Sequence, residues 1–172
     1  IKYSLNMHIN KEQIQELDRI KRLNIINSIS GIKPANLVGT VSKNKVSNLA
    51  IFSSVFHLGS KPALMGMISR PANDVRRHSV ENINELGYYT LNHVHIDSIQ
   101  KAHYTSAKFD EEISEFETCH FNEEYLDEFP APFVKESSVK MGLKLQKKIP
   151  IDLNDTVLII GEVLSIYLPD EA

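Results

Sequence analysis

Alternating apolar and polar positions run along most of this chain and predict short β-strands. Between Val46 and Ser54 both alternating sets are largely apolar, so this strand should be covered on both faces. A Lys-Asn-Lys turn at 43–45 joins it to the preceding strand, which predicts an antiparallel hairpin over residues 36–54. The predicted strands span residues 36–41, 46–54, 63–68, 88–94, 138–146 and 156–168.

Other segments have features typical of helices. At the N-terminal end, Asn10 is a candidate N-cap, and an apolar stripe predicts an amphipathic helix over residues 10–27. Shorter helices are predicted over residues 79–86, 98–103 and 122–129, and Gly87 is expected to end the first of these. Short strands with helices inserted between them indicate a mainly β fold, an antiparallel Greek-key barrel with flanking helices.

Composition narrows the functional classes. The 172 residues carry a net charge of −3 and no basic tract interleaved with aromatics, so we expect one domain, residues 1–172, with no nucleic-acid partner. No apolar run approaches the roughly 20 residues of a membrane helix, and no signal peptide is visible. The single cysteine, Cys119, fits a reducing compartment, so we expect a cytoplasmic protein with no membrane partner. Because the chain begins with Ile1 and stops soon after its last strand, we expect it to be trimmed, above all at the C-terminus.

Several familiar catalytic motifs are missing from the sequence. It contains no G-x-G-x-x-G after a strand, no Walker-type loop and no G-x-S-x-G turn. His93 and His95 would share a strand face, but no further ligands accompany them at usable spacing, so we expect no metal site. The paired acidic residues lack an evident apolar environment, which argues against an acid–base dyad. Redox chemistry stays open, because a bound cofactor can carry it.

One group of polar residues points to phosphate binding. Ser53 and Ser54 end one predicted strand, and Arg70 follows the next, so the strand pair delivers hydroxyls and a guanidinium to one rim. Arg77 and Ser79 lie at the start of the following helix, where free N–H groups form an anion site. The alternative is that the basic residues at 76–78 are only a solvated surface patch.

Five short stretches carry a family resemblance: NLAIFSSVFHLGSKPALMGMISRP, NLVGT, YYTLNHV, AHYTSAKF and SEFE. Together they resemble the flavin reductase-like family of FMN-binding split β-barrels, from about Asn24 to the C-terminus. The resemblance implies a split barrel that binds FMN, with FAD as an alternative, and uses NADH or NADPH as co-substrate. It also implies a homodimer.

The resemblance further implies where the flavin would lie. The phosphate would be held by Ser53, Ser54, Arg70 and Arg77, with Ser69 beside them, and the ring would lie along the backbone of Asn48, Leu49 and Ala50. Further contacts are implied for Thr40, Asn92 and Ser106. Gly39 would let a ring approach the backbone, or would only ease the twist of its strand.

Three functions remain open at this point. The first is hydride transfer from NADH or NADPH to flavin, which requires no catalytic side chain. The second is an FMN-bearing electron carrier with a protein redox partner and no nicotinamide site. The third is a barrel that binds another phosphorylated ligand, or none.

Overall fold

The computed structural model describes residues 8–71 and 76–170 of the chain. Packing divides the chain into two compact units, with the division between Lys33 and Pro34. Two helices make up the first unit, α1 (Lys11–Glu16) and α2 (Arg19–Ser28). The prediction of one continuous helix over 10–27 is therefore wrong.

The break between the two helices has a local cause. Asn10 caps α1 in a capping box with Gln13, as the sequence indicated. Leu17 then takes an extended conformation with ψ 142°, and the side chain of Asp18 accepts hydrogen bonds from the N–H groups of Ile20 and Lys21. Asp18 is thus a second N-cap, which starts a new helix.

A seven-stranded antiparallel sheet forms the second unit, with strand order β2-β1-β5-β8-β9-β4-β3. A separate two-stranded pair, β6 with β7, lies beside it. The strands are β1 (Asn36–Val41), β2 (Ser47–Phe52), β3 (Val55–Ser60), β4 (Ala63–Ser69), β5 (Tyr88–His93), β6 (Glu123–Glu124), β7 (Phe133–Val134), β8 (Lys140–Ile151) and β9 (Thr156–Tyr167). The helices of this unit are α3 (His78–Leu86), α4 (Ile99–Tyr104) and α5 (Glu115–Thr118).

The connection between β2 and β3 shows that the sheet is curled into a barrel. These strands are the two edges of the sheet, yet only Ser53 and Ser54 separate them along the chain. In a flat sheet the edges would lie about 29 Å apart, at about 4.8 Å per strand, while the link spans about 10 Å at most. The predicted antiparallel barrel is confirmed.

Strand β1 contributes to two separate parts of the core. Val38 packs with Tyr89, Leu91 and other residues in one buried cluster. Its neighbour Leu37 points the other way, into a second cluster with Phe116. Each face of β1 is therefore covered. On β2, residues 47–49 are buried and residues 50–52 are half-buried, so the expected two-sided cover is complete only at its start.

The structure corrects two further predictions. The hydroxyl-rich turn and loop expected before residue 63 contain strand β3, which pairs with β4 in a hairpin. The helix predicted over 122–129 is absent, and β6 and turns take its place. Instead of starting a helix, the backbone and side-chain amides of Asn122 donate to the carboxylate of Glu136.

Helix α3 agrees with its prediction within one residue, and it ends at Gly87 in the left-handed conformation with φ 77°. A 3-10 turn and α4 together cover the helix predicted over 98–103. Among the residues that the structure describes, no helix is both long and apolar enough to cross a membrane.

Candidate functional site at the barrel seam

Ser54, in the two-residue link between β2 and β3, lies opposite Ile68 of β4, one position beyond the β3–β4 ladder. Ser54 donates its hydroxyl proton to the carbonyl of Ile68 at 3.0 Å, and the Ile68 N–H donates back to the Ser54 carbonyl at 3.1 Å. Ser69 is buried, and its hydroxyl donates to the carbonyl of Arg70 at 3.3 Å. Ser53 and Arg70 themselves are exposed. We call Ser53, Ser54, Ser69, Arg70, Arg77 and the start of α3 the seam site.

Helix α3 begins next to these strand ends. The guanidinium of Arg77 donates through Nε and Nη2 to the carbonyl of Pro71, at 3.2 and 3.1 Å. No side chain among the described residues caps the helix, and the first helical N–H groups, of His78 and Ser79, have no acceptor there. Within the described residues, two N–H donors and the positive end of the helix dipole can therefore meet an anion.

A buried polar chain ties α3 to β2. Ser79 donates its hydroxyl proton to Asn48 Oδ1 at 3.3 Å, and Asn48 Nδ2 donates to Glu115 Oε2 at 2.7 Å. The same carboxylate oxygen accepts the N–H of Leu49 at 3.1 Å. Burial raises the pKa of Glu115 above its ordinary value, although the hydrogen bonds from Leu49 and Asn48 oppose the shift.

Glu115 is the functional candidate that sequence reasoning missed. It lies in the SEFE stretch, and the residue is only 6% exposed, whereas the sequence showed no acidic pair in an evident apolar environment. The residue after it, Phe116, is buried in the core. The only indication in the nearby sequence was that this acidic residue directly precedes an aromatic residue.

Two predicted flavin contacts lie inside the protein instead. Thr40 is fully buried, and its hydroxyl accepts a hydrogen bond from Asn82 Nδ2 at 3.1 Å. Asn92 is also fully buried; its amide nitrogen donates to the Leu37 carbonyl, and its oxygen accepts the Val134 N–H at 3.0 Å. These side chains join elements of the fold, so they are not free for a ligand.

The outer edge of β2 is also occupied. The Leu49 N–H is held by Glu115, and the Ile51 N–H donates to the hydroxyl of Thr105 at 2.9 Å. The Leu49 N–H is therefore already used, and a contact of the flavin edge with the other main-chain groups of β2 stays a prediction. Ala50 stays half-buried in the same strand. Ser106 is exposed and donates to the His103 carbonyl at 2.7 Å, where it closes the end of α4.

A third explanation, different from both expectations, accounts for the glycine at position 39. A Cβ at this position would overlap the carbonyl oxygen of Pro132 and the hydroxyl of Thr90. The chain around residue 132 thus packs directly against the backbone of β1, and the close approach is made by the protein itself.

The basic residues before α3 divide into two roles. Arg76 is exposed and forms ion pairs with Glu81 and Glu111, which lowers the pKa of Glu81. Arg76 thus fits the alternative of a solvated basic surface patch. Arg77 instead donates to the Pro71 carbonyl, next to Arg70. Arg70 differs from both, since its guanidinium forms no ion pair or hydrogen bond with any residue that the structure describes.

The seam site offers donors rather than acceptors. The exposed guanidinium of Arg70, the exposed hydroxyl of Ser53 and the first N–H groups of α3 are all donors, and such a set recognises a phosphate or another anion. Within residues 8–71 and 76–170, no group of three His, Cys, Asp or Glu side chains could hold a metal ion. Cys119 is buried, and burial raises the pKa of its thiol, which makes it unreactive.

Known proteins resemble this chain in sequence and in fold. Residues 32–172 match the model of the Flavin reductase like domain. A candidate flavin reductase with a split barrel domain from Shewanella frigidimarina is 47% identical, with a TM-score of 0.92 over 97% of this chain and 82% of that one. An uncharacterised protein from Aquifex aeolicus is 30% identical over 139 residues, which are 80% of this chain and 70% of that protein.

A more distant structure has the same fold. Component B of the nitrilotriacetate monooxygenase of Bacillus cereus is 20% identical, with a TM-score of 0.85 over 98% of this chain and 84% of that one. At this identity the likeness shows the split-barrel fold alone. The family match covers most of the chain, and the chain therefore belongs to the flavin reductase-like domain family.

Proposed function

We propose that this protein is an FMN-binding oxidoreductase that reduces flavin by hydride transfer from NADH or NADPH. The observation that supports the proposal is the contact of the Arg77 guanidinium with the Pro71 carbonyl, which brings the start of α3 next to Arg70 and the end of β4. The flavin of such a family carries a phosphate, and the donors beside this contact are the site that we propose for it.

The residues present fit an FMN phosphate. Such a group carries about −1.5 to −2 at neutral pH, so it requires more than neutral donors. Arg70 supplies an exposed guanidinium, and Nη1 of Arg77 has no partner among the described residues while Nε and Nη2 donate to the Pro71 carbonyl. The Ser53 hydroxyl and the N–H groups of α3 complete a set of charge-assisted donors.

The flavin ring would lie against the half-buried end of β2, residues 50–52. A bound flavin supplies the atom that accepts and releases hydride, so no side chain has to act as acid, base or nucleophile. The work of this chain is to hold the phosphate, to place the ring against β2 and to keep one ring face open for the nicotinamide. FAD is the alternative flavin, since the same anion site accepts a pyrophosphate.

We also propose a homodimer in the cytoplasm. Leu164, Ile166 and Leu168 alternate on one face of the C-terminal end of β9 and the residues after it, and each is more than half exposed. Burial of such a face between two copies is favourable by about 25 cal/mol for each Å² of apolar surface. Light scattering after size exclusion tests this point: a dimer is expected for the parent chain, and a monomer for Ile166→Glu.

The test of the main proposal has two steps. A yellow protein with flavin absorbance bands is expected on purification, and the mass of the released ligand distinguishes FMN from FAD. Anaerobic stopped-flow mixing with NADH and with NADPH then follows the bleaching of the flavin. Flavin that stays oxidised for minutes with both nucleotides would eliminate the reductase and leave the electron carrier, and a protein that binds no flavin would eliminate both.

A further inference from the structure

We propose that Glu115 is a positioning residue for the FMN phosphate, which it serves through Asn48 and Ser79 without touching the flavin. The proposal rests on the proposed function, because it assumes that the phosphate binds at the seam site. Its basis is the buried chain from the Glu115 carboxylate through the Asn48 amide to the Ser79 hydroxyl at the start of α3.

The position of Glu115 needs such an explanation. A buried carboxylate is costly unless hydrogen bonds compensate it, and Glu115 forms no ion pair with any residue that the structure describes. Its Oε2 accepts two hydrogen bonds, from Asn48 Nδ2 at 2.7 Å and from the Leu49 N–H at 3.1 Å. Both donors belong to β2, the strand that leads into the seam.

The charge of Glu115 also fixes the direction of the chain. An ionised carboxylate accepts only, so Asn48 must turn its amide nitrogen toward Glu115 and its oxygen toward Ser79. Ser79 must then donate its single proton to Asn48, which leaves the backbone N–H groups of α3 as the donors of the helix start. The Glu115 carboxylate thus selects one arrangement of the hydrogen bonds that run from Glu115 through Asn48 to Ser79.

The series of hydrogen bonds from Glu115 through Asn48 to Ser79 holds α3 in place, and no described side chain caps that helix. Helix α3 has no side-chain cap among the described residues, and Ser79 in its first turn is instead held by β2. The seam site needs the N–H groups of α3 at a fixed distance from Arg70, because electrostatic binding depends on preorganised donors. We infer that Glu115 sets this distance.

A purely structural role for Glu115 would have a different signature. Glu115 could serve only to pack α5 on β2, and its loss would then weaken every ligand of the barrel alike. Riboflavin separates the two roles, because it has the same ring as FMN and lacks the phosphate. The ratio of FMN to riboflavin affinity reports the phosphate side alone.

The experiment compares Glu115→Ala, Glu115→Gln, Asn48→Ala and the double variant Glu115→Ala/Asn48→Ala by fluorescence titration of the flavin-free protein with FMN and riboflavin. We expect Glu115→Ala to lose about tenfold in FMN affinity and less than about twofold in riboflavin affinity. Glu115→Gln should keep most of the FMN affinity, because its amide oxygen can accept the same two bonds. The double variant should bind FMN no more weakly than the weaker single variant. If Glu115→Ala does not fold, Asn48→Ala provides the same comparison.

Glu136→Ala is the matched control, since that carboxylate also holds a backbone N–H, of Asn122, away from the seam. It should change neither affinity. Equal losses for FMN and riboflavin, or additive losses in the double variant, would overturn the positioning role. A parent protein that binds FMN no more tightly than riboflavin would instead overturn the phosphate site of the proposed function.

Discussion

Ser54 and Ile68 exchange two hydrogen bonds across the barrel seam, one from the serine hydroxyl at 3.0 Å and one from the Ile68 N–H at 3.1 Å. The pair extends the β3–β4 ladder by one position, and Ser54 lies in the two-residue link between β2 and β3 by which the barrel closes. The same closure brings Ser53 and Arg70 to one rim. The closure of the barrel and the assembly of the proposed anion site are therefore one structural event.

Replacement of Arg70 tests the anion site directly. Arg70→Ala should weaken FMN binding by at least about 1.5 kcal/mol, the low end for a hydrogen bond to a charged group. Titration of the flavin-free protein with FMN measures the change.

Arg76→Ala is the control for that experiment. Arg76 also precedes α3, but its guanidinium is paired with Glu81 and Glu111. It should leave the FMN affinity within about twofold, because surface ion pairs contribute little. A similar loss in both variants would indicate a general effect of positive charge and would remove Arg70 from the site.

Asn92 should prove to be a structural residue. Asn92→Ala removes the buried hydrogen bonds of this side chain with the Val134 N–H and the Leu37 carbonyl, at a cost of about 1–3 kcal/mol for a buried group left unpaired. Urea denaturation should show this loss of stability, and the FMN affinity of the folded fraction should be unchanged. Asn84→Ala, at an exposed position of α3, is the control. Weaker FMN binding at unchanged stability would restore Asn92 as a flavin contact.

Gly39 should not tolerate a side chain. The Cβ of Gly39→Ala would overlap the Pro132 carbonyl, so β1 or the segment at 132 must shift, at a cost of about 1–3 kcal/mol. Gly59→Ala is the matched comparison, since its Cβ would meet Pro62 at 3.7 Å, an ordinary contact. Urea midpoints measure both variants. Equal urea midpoints for the two variants would show that the segment around residue 132 shifts without a loss of stability.

The raised pKa of Glu115 predicts how stability depends on pH. The folded state holds the Glu115 proton more tightly than the unfolded state, whose carboxyl has the ordinary pKa of 4.5. The contribution of Glu115 to the free energy of unfolding is therefore fully present below pH 4.5 and is lost as the pH rises through the raised folded pKa.

Urea denaturation of the parent chain and of Glu115→Gln across this pH range measures that contribution. The stability of the parent relative to the variant should fall as the pH rises, because glutamine does not titrate. A relative stability that rises with pH would mean that the hydrogen bonds from Leu49 and Asn48 outweigh burial.

The sequence pattern predicted the elements that depend on residues close together along the chain. The β1–β2 hairpin, the stop of α3 at Gly87 and the long strands β8 and β9 follow from alternation, turn residues and one glycine in the left-handed region. Strand β3 was missed because its outer residues, such as His57 and Ser60, are exposed and show no clean alternation.

The site was harder to predict than the fold. The order of strand ends and helix start in the sequence led to the proposed grouping of Ser54, Arg70 and Arg77, which stays a prediction, and the contacts of Ser54 with Ile68 and of Arg77 with Pro71 support it. Glu115 could not be found in this way, since its partners lie 66 and 67 residues away along the chain. Thr40 and Asn92 are polar residues on a strand face, and only the packed structure shows that their partners are other parts of the protein.

The outer edge of β2 has a consequence for the synthesis of this protein. Its outward N–H groups, of Leu49 and Ile51, are taken by the side chains of Glu115 and Thr105. An open strand edge is a template on which a second polypeptide can pair. Both side chains belong to the segment after residue 104, so this edge gains its cover from a part of the chain that is translated after the hairpin.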